Sequence, residues 1–76
     1  IELDDAHAIF EVTTPTGWIG KTVGQLDVRN RYMINIMALK KNGKMDTSIA
    51  HDTVLTGDAT LLVLGSYKEV QKCFHI

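Results

Sequence analysis

The sequence predicts an α+β domain of order β-α-β-β-β-α, with a four-stranded, mainly antiparallel sheet, two helices and a homodimeric assembly. Three observations predict it. Three apolar runs rich in β-branched residues, Ala8–Thr13, Met33–Leu39 and Thr60–Leu64, read as strands. Two S/T-x-x-E/Q patterns, Thr22 with Gln25 and Ser66 with Glu69, mark helix starts after the first and last of them. Asn42-Gly43 is a preferred dipeptide for a two-residue hairpin turn, so a further strand returns antiparallel to the second.

Each element follows in order. Ala8–Thr13 is the first strand, and Thr14-Pro15-Thr16-Gly17 turns the chain after it. Thr22 caps a helical turn that Gly24 weakens, and Asp27 caps a second short turn through Val28–Tyr32. One broken helix results, with Val23, Leu26 and Val28 facing inward. Met33–Leu39 is the strongest strand, and Lys44–Ile49 pairs back on it. Asp52–Asp58 is a polar turn containing Gly57. Thr60–Leu64 is a continuous apolar strand ended by Gly65, and Tyr67, Val70 and Phe74 then recur at helical spacing. Both faces of the second and last strands are apolar, whereas two short helices cover only one face of a sheet. Continuous apolar strands imply burial on both sides. A second copy is expected on the other face, since two-fold dimers are the commonest homo-oligomers. A neighbouring domain of the parent protein is the alternative.

Composition narrows the functional classes. The 76 residues make one domain. A chain this short buries only about 60% of its unfolded surface. The start at Ile1, without Met or a signal-like segment, reads as an excised part of a larger protein. Hydrophobic residues at 45% against charged residues at 22% give a globular balance rather than a disordered one. No apolar run approaches the roughly 20 residues of a membrane span. Cys73 is the only cysteine, so no internal disulfide forms and a cytoplasmic setting is expected. Ile1–Gly20 carries Glu2, Asp4, Asp5 and Glu11 and no Lys or Arg. Lys21–Lys44 carries Lys21, Arg29, Arg31, Lys40, Lys41 and Lys44 against Asp27 alone. That segment suggests one anion-facing surface, or a solvated basic face, but not a broad nucleic-acid platform.

Catalysis is not expected, because no nucleophile elbow or phosphate-cradling glycine loop occurs. His7, His51, His75 and Cys73 are too scattered for the four ligands of a zinc site. Glu2, Asp4 and Asp5 leave a divalent cation open as a ligand, without establishing a site.

From Gly20 to Lys44 the chain reads G-K-T-V-G-Q-L-D-V-R-N-R-Y-M-I-N-I-M-A-L-K-K-N-G-K. Its G-K-T, L-D-V-R, Tyr32 and A-L-K, followed by D-T-V-L at Asp52–Leu55 and L-L-V-L-G-S at Leu61–Ser66, resemble the C-terminal domain of the regulator-of-potassium-conductance family, the TrkA-C domain. The resemblance spans about residues 8–74 and rests on the order and spacing of these pieces. It implies the fold read above, a dimer, and a place in cytosolic gating subunits of potassium channels and transporters. The expected partners are a pore-forming membrane subunit or domain and a nucleotide-binding N-terminal lobe, which this chain lacks. No cofactor is expected within the chain, and no nucleic acid.

In one branch of that family such domains bind cyclic di-AMP across the dimer axis. The resemblance assigns its recognition to Arg29, Asn35, Ile36 and Val23. The residue types suit the ligand. A two-fold interface presents Arg29 twice, once to each phosphate. Asn35 offers a donor and an acceptor to an adenine edge, and Val23 and Ile36 can sandwich the purine. Read alone, Arg29 also fits simple pairing with Asp27 or solvent, and Val23 and Ile36 fit the core. The chain departs from the family at two points. His51 stands where a proline often precedes D-T-V-L, and it can stack on adenine as well. Gly57-Asp58 comes one position earlier than in T-V-L-x-x-G-D, which shifts a turn without removing a strand. The alternatives are a purely structural dimerisation module, or the same domain in another transporter or a transcription regulator.

Overall fold

The computed structural model describes all 76 residues. In chain order they form β1 (His7–Thr13), a 3-10 turn (Thr16–Trp18), α1 (Val23–Leu26), α2 (Val28–Tyr32), β2 (Asn35–Lys41), β3 (Lys44–Asp46), β4 (Thr60–Ser66) and α3 (Tyr67–Phe74). The sheet order is β1-β4-β2-β3, and every neighbouring pair is antiparallel. The predicted architecture therefore holds: four strands, one helix broken into α1 and α2, and a second helix at the end.

The order explains the apolar runs. β4 lies between β1 and β2, so neither of its edges meets water. Its odd residues Leu61 and Val63 are fully buried and join Leu26, Val28, Ile34, Leu55 and Val70 in the core. Burying each large aliphatic side chain contributes about 1.5–3 kcal/mol. This core lies between one sheet face and the helices. The helices have no counterpart on the opposite face, where Ile9, Leu62, Ala38, Met37 and Met45 line a shallow depression of about 470 Å³. Met37 and Met45 stay 43% and 55% exposed there.

The structure corrects several boundaries. β2 begins at Asn35, two residues later than predicted. Met33 has φ 60° and ends α2 in the left-handed region, and the residue is 67% exposed. The expected alternation of Met33, Asn35, Met37 and Leu39 on one face fails again further on, at a register shift between Ile36 and Ala38. An extra residue in a bulge brings two successive side chains to the same face, here Met37 and Ala38. β3 stops at Asp46, three residues short of Ile49. The Asp46 carboxylate accepts the Ser48 amide at 2.9 Å, a local turn that competes with the ladder. Asp27 makes no side-chain cap for α2. Its left-handed backbone (φ 49°, ψ 43°) closes α1, and its carboxylate instead accepts from the Asn30 side chain, Nδ2, at 2.9 Å. The Ser66 hydroxyl accepts the Glu69 amide at 3.1 Å, which is half of the expected capping box.

Gly65 does not end the last strand. It pairs with Ala8 inside β4, and a Cβ there would lie 2.9 Å from Ile34 Cγ2 and 3.1 Å from Val70 Cγ2. The glycine lets α3 close over the sheet. Gly65→Ala is expected to cost about 1–3 kcal/mol through overpacking, read as a lower urea midpoint at unchanged slope.

The N-terminal residues protect the outer edge of β1. The Ile1 nitrogen donates to the Ile9 carbonyl at 2.8 Å, and the Ile9 amide donates back to the Ile1 carbonyl at 2.7 Å. The Asp4 carboxylate accepts the Ala6 and His7 amides at 2.8 and 2.7 Å. These bonds, the Ala6 amide first, hold its pKa below the ordinary carboxylate value. Asp4 is thus engaged in a turn, and no three of the His, Cys, Asp and Glu side chains gather as metal ligands would. No helix is long and apolar enough to cross a membrane.

Candidate functional site

A cavity of about 450 Å³ opens between α1, α2, the start of β2 and the segment 49–51. Local chemistry places each wall. The Thr22 hydroxyl accepts the Gln25 amide at 3.1 Å, and the Gln25 side chain accepts the Thr22 amide at 2.8 Å. This capping box fixes the start of α1 and with it Val23. The left-handed turn at Asp27 then redirects the chain, so α2 sets off at a new angle and carries Arg29 to the cavity. The second left-handed residue, Met33, returns the chain into β2 with Asn35 and Ile36 first in line.

Arg29, Asn35, Ile36, Val23 and His51, separated by up to 28 positions in sequence, all line this one cavity. Arg29 does not pair with Asp27. Its Nε donates to Asn35 Oδ1 at 2.9 Å, and it enters no salt bridge, so both terminal guanidinium nitrogens remain unpaired within the chain. The bond fixes the plane of the fork while leaving the ends that suit a phosphate. It also uses one lone pair of the Asn35 oxygen, leaving one lone pair and the amide NH₂ for a ligand. Ile36 and Val23 are half-buried and pack against the core, so their outer surfaces can take an aromatic face. The cavity volume is within the range of about 300–1,000 Å³ usual for small-molecule sites.

His51 arrives from the opposite wall. The segment His51–Leu55 runs along Gly20–Gly24. Gly20 donates to the Leu55 carbonyl at 2.9 Å, Leu55 to Lys21 at 2.9 Å, Val23 to Thr53 at 2.9 Å and Gly24 to His51 at 2.8 Å. Sequence reasoning named five of the twelve lining residues, and Gly24, Ile49 and Ala50 are among those it missed. By sequence Gly24 reads only as a helix weakener. Ile49 reads as the end of a strand and Ala50 as plain connection, whereas both face the cavity beyond the end of β3.

The basic segment does not form one surface. Of its six cations only Arg29 lines the cavity. Lys40, Lys41 and Lys44 lie at the far end of the β2–β3 hairpin, where Lys40 approaches Glu11 at 4.0 Å and Lys41 approaches Asp58 at 3.5 Å. Cys73, in α3, is away from the cavity, and burial pushes its thiol pKa up to about 11.

Known proteins resemble this chain along nearly its whole length. The model of the TrkA-C domain matches residues 7–75. Ktr system potassium uptake protein C of Bacillus subtilis is 29% identical over 72 residues, which cover 95% of this chain and 33% of that protein. The uncharacterized transporter YfbS of Escherichia coli is 36% identical over 67 residues, covering 87% of this chain and 11% of that protein. The chain therefore spans between about a tenth and a third of these relatives. Among solved structures, the RCK C domain of the potassium transport protein KtrA in complex with cyclic di-AMP superposes with a TM-score of 0.82 at 25% identity, covering 92% of this chain and 84% of that one. The RCK_C domain dimer of S. agalactiae BusR in complex with cyclic di-AMP has the same fold, with a TM-score of 0.68 at 22% identity, covering 92% of this chain and 96% of that one. On this match, which takes in 7–75 of its 76 residues, the chain belongs to the TrkA-C domain family.

Proposed function

We propose that this chain is the ligand-sensing and dimerisation domain of a potassium transport protein, and that it binds cyclic di-AMP between two copies of itself. The observation that carries the reading is the convergence of Val23, Arg29, Asn35, Ile36 and His51 on one cavity. Each copy supplies half of the site. The free guanidinium ends of Arg29 take one phosphate, and the remaining donor and acceptor of Asn35 meet an adenine edge. Val23 and Ile36 hold the base on one side and His51 on the other. A second copy repeats every group about the two-fold axis, which matches the symmetry of the ligand. The uncovered apolar sheet face, with Met37, Met45 and Leu62, is further support for self-association.

Function follows from differential binding. A ligand that touches both copies stabilises one mutual orientation, and it shifts the attached transport machinery by as much as it prefers that orientation. The domain acts by binding, not catalysis, and works on the cytoplasmic side beside a membrane subunit. The likeness to KtrA and to Ktr protein C favours potassium over other ions as the cargo of the parent.

Titration calorimetry with the purified domain tests the reading. Saturable heat with cyclic di-AMP, and none with AMP at the same concentration, is expected. Dimers that give no heat at high micromolar cyclic di-AMP would leave only the structural, dimerising role.

A further inference from the structure

We infer that Gly24 is a positioning residue that sets the width of the cavity by letting the His51 loop lie directly on α1. The first amides of a helix lack partners inside it. In α1 the loop supplies them: Val23 donates to the Thr53 carbonyl at 2.9 Å and Gly24 to the His51 carbonyl at 2.8 Å. The second contact requires glycine. A Cβ on residue 24 would stand 2.8 Å from the His51 carbonyl oxygen, 3.0 Å from its Cβ and 3.3 Å from its Nδ1. Two of these three atoms belong to the root of the residue rather than to a flexible tip, so rotating the imidazole relieves little. The loop has to retreat, and both walls of the cavity are involved, since Val23 and Gly24 form one and Ala50 and His51 the other.

The advantage of Gly24 is therefore not in the helix. Alanine is the better helix former by about 1 kcal/mol, so Gly24→Ala favours α1 while displacing His51. A merely structural glycine would show one effect without the other. The ligand arm of this inference rests on the cyclic di-AMP reading above; the positional arm does not.

The test compares Gly24→Ala with wild type by NMR without ligand, and then by calorimetry with cyclic di-AMP. Gly17→Ala serves as the control, because a Cβ at Gly17 meets nothing within 4 Å. The His51 ring and amide resonances are expected to move in Gly24→Ala, while those of His7 and His75 stay. Affinity should fall about tenfold, the equivalent of one lost contact. Gly17→Ala should change neither. His51 resonances that coincide with wild type would overturn the inference. Should Gly24→Ala fail to fold, amide exchange in the wild type decides instead: a protected Gly24 amide supports the His51 contact, and one that exchanges at the rate of an open loop overturns it. A wild type that binds no cyclic di-AMP would defeat the proposed function, with the resonances still deciding the role of Gly24.

Discussion

Arg29→Ala is expected to weaken cyclic di-AMP binding by at least about 100-fold while leaving the fold intact. A hydrogen bond to a charged group contributes about 1.5–3 kcal/mol, and a symmetric dimer loses it twice. Stability should hardly change. Arg29 is exposed and makes one hydrogen bond, to the half-buried Asn35. Exposed substitutions of this kind are usually within about 0.5 kcal/mol. Arg29→Lys separates charge from geometry: the ammonium keeps the charge but has neither the fork nor an Nε to anchor on Asn35. It should recover only part of the affinity. Calorimetry beside a urea melt reads both quantities, and an Arg29→Ala domain that binds as well as wild type contradicts the assignment.

Ile34→Ala should have the opposite signature, with a large loss of stability. Ile34 is fully buried, packs beneath Gly65 and also lines the cavity. Truncating a core isoleucine costs about 2–5 kcal/mol. At about 0.05–0.15 kcal/mol per residue, a chain of 76 residues has only about 4–11 kcal/mol in total. The variant should be mostly unfolded well below the melting temperature of the wild type. Met33→Ala, one residue earlier but 67% exposed, should sit within about 0.5 kcal/mol of wild type. The contrast between adjacent positions tests the corrected start of β2. A Met33 truncation as damaging as Ile34→Ala would restore the earlier strand boundary.

The fold was legible because its signals are local. Capping boxes, an Asn-Gly turn and period-two apolar runs each act within a few residues, and they placed every strand and helix in order. Boundaries were lost where a competing local interaction won. Met33 reads as strand by composition, yet the chain must reverse out of α2 there and takes a left-handed turn. Ile49 reads as strand, yet the Asp46 side chain captures the Ser48 amide first. Gly65 reads as a stop signal because sequence does not reveal what packs above a strand. The five candidate site residues could be named only from the family pattern. Nothing local to Val23, Asn35 or His51 says that they meet, since two left-handed turns and the pairing of Gly20–Gly24 with His51–Leu55 bring them together. Clustering along the chain misled in the other direction. Lys40 and Arg29 are near in sequence, but Arg29, on α2, bonds to the first residue of β2 and Lys40 lies near the strand's other end.

The most direct test of the shared site is the mass of the complex. Native mass spectrometry of the domain at saturating cyclic di-AMP should give two chains with one nucleotide. Single chains, or one nucleotide for every chain, would mean that each cavity works alone and that the two-fold site does not exist.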